Sequence, residues 1–159
     1  MSPLSTPVAD ACFSSLSHAA AEAIAALDAV ALREQKARMA PWAAEKLREA
    51  TNSVPRRSRE WERLTARIVH DWPPDGTYLV DEYVNDLATR DTLERTKHEL
   101  PASAATEFTA MLTRLDDAFR EVTVDDGGAS IAWRTNASEP DLAQRPWWWH
   151  RRPVNAPWT

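Results

Sequence analysis

Three glycines in a chain of 159 residues leave few places where the backbone can bend through left-handed conformations. They are Gly76, Gly127 and Gly128; the eleven prolines cluster between segments, and Ala, Leu, Glu and Arg fill those segments. Good helix formers are thus continuous and breakers are confined to boundaries, which predicts an all-α fold. A chain of this length suits one domain, because a domain near this size buries about 70% of the surface its unfolded chain exposes. The expectation is a single domain of four to five helices, with residues 1–134 helical and residues 135–159 an irregular Trp-rich segment packed on them.

Periodicity places the helices. The first should run from about Val8 to Met39, with Leu16, Ile24, Leu27 and Ala31 at helical spacing. Pro41 then opens a short second helix to Ala50 anchored by Trp42 and Leu47. A third, roughly Arg57 to Asp71, carries Trp61, Leu64 and Ile68 on one face and ends at Trp72-Pro73-Pro74-Asp75-Gly76. The fourth starts after Thr77 as N-cap, with a stripe of Val80, Tyr83, Val84 and Leu87, and reaches about His98. Its second half reads as polar all round and is expected to face solvent, with Asp86 to Arg90 and Asp91 to Arg95 spaced as intrahelical pairs. The fifth, opened by Pro101 and Ser103, has the clearest stripe: Phe108, Leu112, Leu115, Phe119 and Val122. Asp125-Asp126-Gly127-Gly128 stops it, and Ile131 with Trp133 follows as a short extended piece. A hairpin joining Val122–Val124 to Ser130–Ala132 competes with that reading, since Asp-Gly is a turn signal.

Four of the eight tryptophans lie in the last thirteen residues: Trp147, Trp148, Trp149 and Trp158. Each indole buries about 150–250 Å², too much apolar area to leave free, so the tail is expected to dock. Arg145, Arg151 and Arg152 stand among these indoles, a combination that can lie over indole faces and reach helix carboxylates, contact a partner, or stack nucleobases. The net charge of −5, with a pI near 5.4, opposes nucleic acid and favours a basic protein partner. Asp81, Glu82, Asp86 and Asp91 on the fourth helix are the expected partner-binding carboxylates, with Trp147, Trp148, Trp149, Arg151 and Arg152 as the tail's contribution.

Enzyme chemistry finds little support. The four histidines, His18, His70, His98 and His150, fall on different segments, and Glu94 precedes His98 by four residues rather than the three of a di-iron motif. Glu45 with Glu49 and Glu82 with Asp86 could hold magnesium between helices, but their spacing is one residue wider than the pairs of all-helical nucleotide pyrophosphatases. No Gly-rich phosphate loop or nucleophile elbow occurs, and the single Cys12 excludes an intrachain disulfide. No catalytic residue, metal ligand or cofactor is assigned. The Ala-rich stretch Ala19–Leu32 is interrupted by Glu22 and Asp28 and lacks a preceding Lys or Arg, so no targeting or membrane segment is expected and the cytoplasm is the default location.

In size, acidity and helicity the chain is similar to small bacterial proteins that block a toxin or nuclease, such as immunity proteins. The resemblance transfers no residue; it implies an immunity or antitoxin-like inhibitor of a basic toxin or nuclease. A metal-dependent enzyme built from dispersed His and carboxylate ligands, and a single-stranded nucleic-acid binder using the Trp/Arg tail, are the alternatives.

Overall fold

The long first helix expected from Val8 to Met39 is broken at Ser15–Ser17. In the computed structural model, which describes residues 8–72, 77–135 and 139–158, α1 spans Val8–Ser14 and α2 spans His18–Ala37. Ser17 makes the break: its hydroxyl oxygen accepts from the Ala20 N–H and caps α2, while its own N–H and hydroxyl donate to the Glu107 carboxylate at 2.8 and 2.6 Å. A short α3, Pro41–Ala44, replaces the expected helix to Ala50. Trp42, expected as its anchor, is 69% exposed, so little apolar burial sustains further turns.

Three longer helices follow: α4, Val54–Val69; α5, Val80–Glu99; and α6, Ala102–Glu121. Two short helices, α7 at Ala129–Thr135 and α8 at Glu139–Ala143, bring the described helices to eight, above the expected four to five. A 3-10 turn covers Trp147–His150, and strands β1, Thr123–Asp125, and β2, Arg151–Pro153, pair antiparallel with Val124 opposite Arg152. Neither the hairpin nor the extended piece expected at Ile131–Trp133 forms. Asp126 instead accepts from the N–H groups of Gly128 and Ser130 and starts α7, so the strand partner comes from the tail. Gly128, at φ +84°, is required here: a Cβ would sit 3.2 Å from the Trp149 carbonyl oxygen and 3.3 Å from Leu142.

The chain divides into two compact units. The first comprises Met1–Arg59 with Thr92–Thr113, and the second Glu60–Asp91 with Arg114–Thr159. The first unit buries Ala9, Cys12, Ile24, Val54, Leu93, Phe108 and Leu112. Asp28 ties α2 to the start of α4 by accepting from the Val54 N–H at 2.9 Å, and Gln35 grips Thr51 through both its amide oxygen and nitrogen. The second unit buries Trp61, Leu64, Ile68, Tyr83, Leu87, Leu115 and Phe119, with Trp61 and Phe119 ring centroids 4.4 Å apart.

The second half of α5, expected in solvent, is buried at Thr89, Arg90, Leu93 and Thr96. The reason lies with Arg90, which is only 4% exposed and forks onto Asp116 of α6, itself 5% exposed: Nε and Nη2 donate to the two carboxylate oxygens at 2.9 Å each. The Trp61 indole N–H donates to the same carboxylate at 3.0 Å. Truncating one partner leaves a buried unpaired charge, so Asp116→Ala is expected to cost about 3–5 kcal/mol in urea unfolding, while the paired replacement Arg90→Met with Asp116→Leu, which strands only the Trp61 indole N–H, is expected to cost less, about 1–3 kcal/mol.

Candidate functional site

The four carboxylates expected to face a partner lie in the N-terminal twelve residues of α5, all within the second unit. Their surroundings differ. Asp81 forms an ion pair with Arg134 of α7. Glu82 is exposed and reaches back to accept from the Leu79 N–H at 2.7 Å, closing the N-terminus of its own helix. Asp86 accepts from the Tyr78 hydroxyl at 2.6 Å and sits 3.4 Å from the Arg67 guanidinium. Burial outweighs both contacts and holds the Asp86 carboxyl above its ordinary range, while burial and the nearby Asp86 keep the Tyr78 phenol protonated. Asp91, half-buried, accepts the indole N–H groups of Trp148 and Trp149, each at 2.9 Å.

Each of the three consecutive indoles also carries a guanidinium over its ring. Arg120 lies 3.7 Å from the Trp147 centroid, Arg90 4.4 Å from Trp148, and Arg145 4.5 Å from Trp149. Such contacts add about 0.5–2 kcal/mol each, more where water is excluded. The 3-10 turn makes this possible, since three residues per turn send the three indoles in three directions. Trp148 and Trp149 are buried and Trp147 is half-buried, which leaves little indole face to stack a base.

Downstream, Arg151 and Arg152 are likewise engaged. The Arg151 guanidinium donates to the Thr123 hydroxyl at 2.7 Å and to the carbonyls of Thr123 and Arg120 at 2.6 and 3.1 Å, satisfying acceptors at the end of α6. Its carbonyl accepts from the Tyr83 hydroxyl at 2.7 Å. Arg152 lies 3.9 Å from Asp126. Trp158, the last tail indole, joins an aromatic group with Trp72, Tyr78 and Tyr83 at centroid distances of 5.8, 6.1 and 5.1 Å. Trp72 itself holds a left-handed φ of 65°, unfavourable for a bulky side chain, and its indole N–H donates to the Asn155 carbonyl at 2.8 Å.

Sequence reasoning missed the residue at the centre of this arrangement. Asp116 stands four residues after Leu112 and three before Phe119, an acid on the apolar face of α6, and Arg90 holds the matching place three after Leu87 on α5. That opposed pair of misplaced charges was the available signal. Among the described residues no group of three or more His, Cys, Asp or Glu side chains converges to hold a metal ion.

Asp91→Ala strands two indole N–H groups, each worth about 1–3 kcal/mol when left unsatisfied in a buried setting. The variant is expected to show a lowered urea midpoint and red-shifted tryptophan emission, whereas Asp91→Asn, which keeps an acceptor, should fall between it and wild type.

The chain matches no family model, no curated protein and no solved structure.

Proposed function

We propose that the protein is a cytoplasmic binding module that masks a basic protein partner, in the manner of an immunity or antitoxin-like inhibitor. The observation that supports this reading most is the distribution of charge. The second unit carries nine Lys and Arg against fifteen Asp and Glu, a net of −6, while the first carries ten against nine, a net of +1. The acidity of the chain therefore belongs to one unit, where it can steer a cationic partner.

Within that unit the carboxylates divide by what they already hold. Asp86 and Asp91 serve internal contacts, and Asp81 has Arg134. Glu82, which accepts from the Leu79 N–H, is exposed at the head of α5, and Asp117, 2.9 Å from the Arg120 guanidinium, and Glu121 are exposed one turn apart on α6. These three are the proposed contacts for the partner. Trp133, 65% exposed on α7 of the same unit, adds an aromatic anchor of the kind that dominates binding energy at interfaces. Location in the cytoplasm accords with the single Cys12 and with the absence, among the described residues, of any single helix long and apolar enough to cross a membrane.

Reversal of these exposed charges separates binding from folding. In the triple variant Glu82→Lys, Asp117→Lys and Glu121→Lys, the fold is expected to be retained at a cost of about 1–2 kcal/mol, most of it from the lost Glu82 acceptor at the head of α5. Association with a basic partner isolated from the host should slow and lose its dependence on salt. Trp133→Ala should act chiefly on dissociation. A partner that binds the triple variant at the wild-type rate across a salt series would rule out the acidic surface.

A further inference from the structure

The first unit holds an open cleft of about 280 Å³ between α1, α2 and the start of α4, and the proposed function gives it no role. Its apolar wall includes Phe13, Leu16 and Ile24; Phe13 and Leu16 remain half-exposed although both are large and apolar. Three charged side chains complete it: Asp10, Arg59 and Asp28. Two of these satisfy each other, since the Arg59 guanidinium donates to Asp10 at 2.9 Å.

Asp28 is left unbalanced. One carboxylate oxygen accepts from the Val54 N–H at 2.9 Å, and among the described residues the other accepts no protein hydrogen bond. Burial, and the negative charge of Glu49 nearby, both oppose its ionisation. Among the described residues lining the cleft the one cation is Arg59, and it is already held by Asp10. A largely apolar cleft lined by a carboxylate with one oxygen free of protein hydrogen bonds is complementary to a molecule with an aliphatic body and a positive tip. The volume lies near the lower end for small-molecule sites, in which mostly apolar walls and one or two polar groups fix the ligand.

We propose that this cleft binds a short aliphatic primary amine, with the chain lying along Phe13, Leu16 and Ile24 and the ammonium donating to the uncommitted oxygen of Asp28. The site lies in the first unit, and nothing in it depends on the acidic surface proposed for the partner.

Titration of the isotopically labelled full chain with n-pentylammonium chloride, followed by amide NMR, tests the proposal. Saturable shifts are expected at Ile24, Ala25 and Val54, with n-pentanol and pentanoate binding at least about tenfold more weakly for want of the charge-assisted contact. Asp28→Asn retains an acceptor for the Val54 N–H and removes the charge; it should bring n-pentylammonium down to the affinity of n-pentanol. Ala25→Leu, at an exposed position lining the cleft, tests the same site without touching that hydrogen bond and should abolish the shifts. Absence of saturable shifts, equal binding of amine and alcohol, or wild-type affinity in Ala25→Leu would each overturn the assignment.

Discussion

The fork of Arg90 onto Asp116 is the contact on which the second unit depends. Two apolar stripes can slide past each other at little cost, whereas a guanidinium and a carboxylate meeting through two parallel hydrogen bonds fix both spacing and angle. Burial makes the contact demanding as well as specific, because every remaining lone pair and N–H around it has to find a partner. Trp61 supplies one donor to the carboxylate, and Trp148 covers the guanidinium. The tail is thereby attached to a feature of the helices rather than to a generic apolar surface.

From that fork the contacts run outward along a chain of alternating charge and aromatic ring. Trp148 and Trp149 share the Asp91 carboxylate, Arg145 covers Trp149, and Arg120 covers Trp147. Arg151 closes the end of α6 and positions β2 beside β1. This arrangement accounts for an acidic helix whose carboxylates contribute unequally to the surface. Asp81, Glu82, Asp86 and Asp91 of α5 all make hydrogen bonds within the unit and, of the four, Glu82 alone is exposed, so the surface charge shifts toward Glu82 and the exposed acids of α6.

The helices were legible because their signals are local. The stripe Phe108, Leu112, Leu115 and Phe119 is buried along its whole length, and the boundaries of α5 and α6 lie within three residues of those read from the sequence. The break at Ser17 was not legible, since it depends on Glu107, ninety residues away. Asp-Gly was ambiguous for a related reason: the same residues that turn a hairpin can cap a helix, and the choice was settled by the tail arriving as the strand partner. At the candidate site the residue types were read from the sequence but their partners were not. Spacing paired Asp86 with Arg90 and Asp91 with Arg95, whereas Arg90 engages Asp116, Asp86 engages Tyr78 and Asp91 engages two indoles. Local spacing competes poorly with a buried contact, where the same hydrogen bond is worth more.

The second unit is also closed by its most distant residues. Trp72 reaches Asn155 across 83 positions, Tyr83 reaches Arg151 across 68, and Asp91 meets Trp149 across 58. Each of these contacts closes a long loop, whose entropy is lost before the contact returns anything, so its own helices can form well ahead of the architecture they belong to. During that interval Trp148, Trp149 and the left-handed Trp72 lack their final partners, and the half-built unit shows water the indoles it later hides. A helical unit whose closing contacts lie this far apart in sequence is thus expected to fold more slowly than a bundle held by local contacts.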